Sequence, residues 1–146
     1  MDFLTPNLSF TITASILFGF FAVLFLQSGS DKVFDWKGNL AWLTGHFQHS
    51  PLAGKVPFLL GLLTMMELMA GFGSAVSTLA VWFCGALPCQ DLFFLQMAFN
   101  AFTLLALFGG QRMAKDYAGA AGIVPYFLVA LVGMVLWSGI FAPFIG

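Results

Sequence analysis

The run Val56–Phe83, VPFLLGLLTMMELMAGFGSAVSTLAVWF, decides the fold. Its 28 residues contain one charge, Glu67. As a helix at 1.5 Å per residue it is about 42 Å long, more than the roughly 30 Å hydrocarbon core of a bilayer. A stretch this long and apolar predicts a transmembrane helix that tilts or extends beyond the interface. Outward from it, Leu8–Leu26, Leu92–Phe108 and Ile123–Ile145 are three further apolar runs of spanning length. None shows the sustained alternation of an outer-membrane strand, and Gly and Pro gather between the runs, which argues against a β-barrel. The expected fold class is all-α: one membrane domain over residues 1–146, a bundle of four transmembrane helices.

Composition agrees with this reading. Of the 146 residues, 60% are hydrophobic and 8% charged, with mean hydropathy +0.96. Five Lys/Arg, six Asp/Glu and two His cannot coat a water-soluble monomer of this size. Net charge is −1 without a basic cluster, so the phosphate-neutralising face that nucleic acid requires is missing. Lys32, Lys37 and Lys55 fall between the first two runs, and Arg112 and Lys115 between the last two. The positive-inside rule then places both cationic loops in the cytoplasm and both termini outside. Without a basic n-region, the first run reads as a retained helix rather than a cleaved signal.

The first loop has helical periodicity of its own. Trp36, Leu40, Leu43 and Phe47 follow i, i+4, i+7, i+11, and Asp35 stands at the N-cap position. A short interfacial helix over about 36–48 is expected, with Trp36 and Trp42 at headgroup depth. Pro51 and Pro57 separate it from the next span. Gly119-Ala120-Ala121-Gly122 leads into the last span as a flexible or closely packed segment.

Polar groups at membrane depth have no partner in lipid and therefore mark structure or function. Glu67 lies about 16 Å along its span from Val56, near the midplane, where desolvation disfavours any charged carboxylate. Asn100, eight residues before Phe108, falls about 12 Å in, and Gln96 lies one turn away on the same face. A cluster of Glu67, Asn100 and Gln96 is expected, extended by Thr64 and Thr103. It either joins helices together, serves as a proton-exchanging or quinone head-group site, or lines a substrate or ion pathway. Asp31 and Lys32 are expected to pair with each other or with Arg112 and Asp116 at the cytoplasmic interface. His46 and His49 provide half a metal site at most, so no metal centre is expected. No span contains a His, which excludes a bis-His haem. Cys84 and Cys89, at Cys-x4-Cys spacing outside the membrane, are candidates for a disulfide, for two separate thiols, or for a redox-active pair. Ala70, Gly71, Gly73, Ser74, Ala75 and Ser77 would let another backbone approach the second span closely. The first and last spans, nearly free of strong polar groups, are expected to face lipid or partner subunits.

Three features resemble one family. The first span ends FLQSGSDK over Phe25–Lys32, the second span is led by Pro57, and its centre reads MELMAG over Met66–Gly71. With the four-span layout and long first loop, this is similar to the DoxX type of small four-helix membrane proteins. That family includes a subunit of a thiosulfate:quinone oxidoreductase associated with a terminal oxidase. The resemblance implies a non-haem, quinone-linked membrane subunit with other membrane subunits as partners. It maps the quinone-linked role onto Glu67 first and onto Asp31 and Lys32 second. Nothing in the chain binds a cofactor by a motif of its own, so a diffusible quinone or a partner's redox centre would supply the chemistry. A structural or assembly subunit without chemistry, and a thiol–disulfide oxidoreductase using Cys84 and Cys89, are the competing classes.

Overall fold

The computed structural model describes residues 6–84 and 89–138. Its elements are α1 (Pro6–Phe34), α2 (Trp36–His46), a 3-10 turn (Ala53–Lys55), α3 (Val56–Cys84), α4 (Gln90–Met113) and α5 (Tyr117–Trp137). The protein is all-α: α1, α3, α4 and α5 are long and apolar enough to cross a membrane, and α2 is a short helix beside them. Helix length and hydropathy make it a multi-pass membrane protein with lipid-facing surface.

Helix α1 runs eight residues past Leu26, where the sequence ended the span, because nothing in Gln27–Phe34 stops a helix apart from the tolerated Gly29. Likewise α4 continues to Met113 instead of Phe108. The connection expected over Gly109–Gly122 shrinks to Ala114–Asp116, and all of Gly119–Gly122 belongs to the start of α5. That turn is a Schellman motif: Asp116 N–H donates to Gln111 C=O (2.9 Å) and Lys115 N–H to Arg112 C=O (3.1 Å). Lys115 occupies the left-handed position with φ 62°. Asp116 then caps α5, its Oδ1 accepting from Gly119 N–H at 2.8 Å. Asp35 caps α2 as the sequence indicates, accepting from Gly38 N–H at 3.1 Å. The outer end of the last span, beyond Ser138, lies outside the described residues.

Antiparallel α1 and α3 form the tightest pair. A Cβ on Gly71 would stand 2.8 Å from the backbone N of Leu26, and one on Gly29 would stand 2.8 Å from the Leu68 side chain. Only glycine permits helix axes this close. Moving three residues along α1 thus moves three back along α3, and α1 ends while about two turns of α3 still project beyond it. Helix α2 covers that projection, with Trp36 packed over Gly61.

The dry core fills the half of the bundle away from α2. Phe18, Phe21 and Phe25 of α1 meet Ala70 and Val81 of α3, Phe93, Met97 and Leu104 of α4, and Ala130 of α5. The Phe18 and Phe93 rings lie 5.6 Å apart. The long helices expose many large apolar side chains, such as Phe58, Phe72 and Val132, which suits a lipid solvent.

Candidate functional site

In the half of the bundle nearer α2 the helices enclose a partly open cavity of about 650 Å³. Its wall is apolar for the most part, with Leu60, Leu63, Leu104 and Ile123 among the side chains that form it. Trp42, Leu43 and Phe47 bring the apolar face of α2 across it, so the expected interfacial helix forms one wall of the cavity. Its polar residues are Ser28, Lys32, Asn39, Glu67, Gln111 and Tyr126.

Three of these form a compact unit. Lys32 Nζ lies 2.8 Å from Glu67 Oε2, the lysine side chain being 14% exposed and the carboxylate 0%. Nζ also donates to Glu67 Oε1 (3.1 Å), Ser28 Oγ (2.8 Å) and Ser28 C=O (3.2 Å). Ser28 Oγ donates in turn to Glu67 Oε1 at 2.8 Å. The ammonium thus faces both carboxylate oxygens, and its nearest contact is the one with Oε2. The tertiary fold explains this pairing. Ser28 and Lys32 continue the buried stripe of Phe18, Phe21 and Phe25 along one face of α1, and the close α1–α3 contact turns that face towards Glu67. A buried carboxylate is expensive alone, and a cation with hydrogen bonds around it offsets much of the cost.

The expected cluster therefore divides in two. Asn100 and Gln96 stay together, Gln96 Nε2 donating to Asn100 Oδ1 at 3.0 Å. Their partner is Ser74, not Glu67: Asn100 Nδ2 donates to Ser74 Oγ at 2.9 Å, and Gln96 Nε2 to the Ala70 carbonyl at 3.1 Å. Ser74 stands seven residues along α3 from Glu67, so Asn100 lies about two turns, roughly 10 Å, beyond it. Neither Asn100 nor Gln96 lines the cavity. Thr64 and Thr103 hydrogen-bond backward within their own helices, to the Leu60 and Phe99 carbonyls.

The expected grouping of Asp31, Lys32 and Arg112 is likewise not assembled. Arg112 lies over the Tyr117 ring, 4.6 Å from its centroid. Exposed Asp31 uses its carbonyl to receive Asp35 N–H and Asn39 Nδ2. Asp116 instead lies 3.5 Å from His46 Nε2, and the His46 ring stacks on Trp42, at 4.5 Å between centroids. His49 lies in the turn after α2, and among the described residues no three of His, Cys, Asp and Glu gather as metal ligands. The Cys84–Cys89 link falls largely outside the described residues, with Cys89 at the N-cap of α4.

Sequence reading did not assign Ser28, Asn39, Trp42 or Gln111 to a site. The signal for Ser28 was present: with Lys32 it stands i, i+4 on the face set by the phenylalanines of α1. Nothing local brings Trp42 or Gln111 to the same cavity. No family model, curated protein or solved structure matches the chain, and the structure by itself establishes a four-helix membrane protein rather than membership of a family.

Proposed function

We propose that this chain is a non-haem, quinone-linked subunit of a redox assembly in a bacterial cytoplasmic membrane, and that Ser28, Lys32 and Glu67 hold the quinone head group. One observation carries the reading: a buried ion pair at membrane depth stands in the wall of a largely apolar cavity of about 650 Å³. A quinone is flat, neutral and polar at its oxygens and apolar elsewhere, which is the chemistry this cavity offers. Interconversion of quinone and quinol moves two electrons and two protons. The electrons belong to a redox centre on a partner subunit, and Glu67 is the group placed to exchange a proton at a quinone oxygen. Lys32 steadies the negative charge that develops on that oxygen, in a medium where such contacts are strong. The similarity of Phe25–Lys32 and Met66–Gly71 to the DoxX type supports the same role.

Native mass spectrometry of the protein drawn gently from its own membranes tests the reading. Co-purifying redox subunits, or a bound quinone, support it. Quinone-dependent activity of intact membranes that survives unchanged in Glu67→Gln eliminates the proton role.

A further inference from the structure

We infer that the ligand of this site is a long-tailed molecule loaded sideways from the bilayer, its apolar chain leaving the cavity through a slot between α3 and α4. The inference rests on the quinone-linked reading and adds to it a route of entry and the place of the tail.

The slot follows from the helix faces that the cavity touches. Leu60 and Leu62 of α3 both line it, as do Leu104 and Ala106 of α4. Two residues apart on a helix, the members of each pair are turned by about 200° and look to nearly opposite sides. Leu60 and Leu104 are buried in the bundle, whereas Leu62 is 40% exposed and Ala106 is exposed as well. A cavity that reaches the inner and the outer face of both helices passes between them. Side-chain hydrogen bonds tie α3 to α4 at one level among the described residues, where Gln96 and Asn100 meet Ala70 and Ser74. Between that level and α2 the edges of the slot are Leu62 and Met66 on α3 and Ala106 and Gly109 on α4.

The other ways out are obstructed. Gly29 and Gly71 bring α1 and α3 together too closely for a chain to pass. The Phe20 and Tyr126 rings meet across α1 and α5, 6.0 Å apart. Helix α2 roofs the end of the bundle: Trp36 packs over Gly61 of α3, Phe47 reaches Gly110 of α4, and His46 lies 3.5 Å from Asp116 in the α4–α5 turn.

The lining then selects the occupant. The edges of the slot carry no polar side chain, so it suits an alkyl or isoprenoid chain and offers nothing to an ion or a hydrated head. Lys32 and Glu67 neutralise each other at the inner end, so a charged lipid head would have to break the pair to gain a counter-ion. A cavity of about 650 Å³ lies within the roughly 300–1,000 Å³ of single small-molecule sites. With a ring at Ser28 and Lys32, a long tail does not fit inside and continues into the lipid. The slot itself need not attract that tail, because lipid is as apolar as leucine. It lets the head reach the ion pair while the tail stays in the bilayer.

The test uses the full chain in lipid nanodiscs, without oxygen, and two probes: decylhydroquinone and the tailless methylhydroquinone. A Cβ on Gly109 meets nothing within 4 Å, so Gly109→Trp places a large side chain in the slot without displacing a neighbour at its root. In that variant the affinity for decylhydroquinone should fall about tenfold or more, the scale of forcing atoms into occupied space. The affinity for methylhydroquinone should stay within about twofold. Comparing variant with unaltered protein for each probe cancels its partitioning into lipid. Equal responses of the two probes, whether both fall or neither does, overturn the slot and leave the quinone-linked reading standing. Failure of both probes to bind the unaltered protein overturns both. Photolabelling of the unaltered protein, with decylhydroquinone carrying a diazirine at its chain end, makes the test independent of the variant's folding. Labels on Leu62–Met66 or Ala106–Gly109 that unlabelled decylhydroquinone displaces support the slot. Displaceable labels confined to α1, α2 or α5, or slot labels that are not displaced, overturn it.

Discussion

Lys32 in the last turns of α1 and Glu67 in the body of α3, 35 residues apart in the chain, form an ion pair at 2.8 Å in which the carboxylate is completely buried. The pair joins the two most closely packed helices and stands in the cavity wall. Its energetics follow from the cost of leaving one charge alone.

Lys32→Met removes the counter-ion of a buried carboxylate and should destabilise the protein by about 3–5 kcal/mol at neutral pH. Adding Glu67→Leu should restore much of that, since a matched apolar pair leaves no orphan charge. Thermal unfolding in detergent of both single variants and the double variant gives the coupling. Additive losses would show that the two side chains do not act as a pair.

The α1–α3 contact makes two glycines unequal. Gly71→Ala drives a Cβ against the Leu26 backbone and should cost about 1–3 kcal/mol, because a backbone cannot yield as a side chain end can. Gly122→Ala, in α5, meets nothing within 4 Å and should stabilise by about 0.5–1 kcal/mol through helix propensity. Melting temperatures of the two variants, compared in one detergent, should move in opposite directions.

Lys115 holds a left-handed conformation in the α4–α5 turn, a position suited to glycine. Lys115→Gly should raise stability by about 1 kcal/mol, read from the same melts. A loss of stability would mean that the lysine side chain contributes more than its backbone costs.

Asn100→Ala breaks the interhelical hydrogen bonds to Ser74 and should cost about 0.6–2 kcal/mol. The affinity of decylhydroquinone should stay within about twofold, because Asn100 does not line the cavity and sites without shared partners act independently. A large fall in affinity with unchanged stability would move the binding site towards Gln96 and Asn100.

Much was legible in the sequence because one-dimensional signals govern it. Apolar run length sets spans, so four transmembrane-length helices follow from composition along the chain. Period sets faces, so the short helix after Asp35 and its apolar stripe are visible in Trp36, Leu40, Leu43 and Phe47. Glu67 is conspicuous because a carboxylate among 27 other residues of such a run needs a partner. The partner itself was not legible. Reading span one as ending at Leu26 left Lys32 at an interface, since hydropathy falls there although no proline stops the helix.

The sequence by itself determined the all-α class, the spans, the capped helix α2 and the residues too polar to face lipid. Tertiary structure alone decided which of those residues meet. Burial is a property of position along one helix, whereas pairing depends on the register between helices, and glycine contacts at Gly29 and Gly71 set that register. Along α3 only about two turns, roughly 10 Å, separate Glu67, which meets Lys32 of α1, from Ser74, which meets Asn100 of α4.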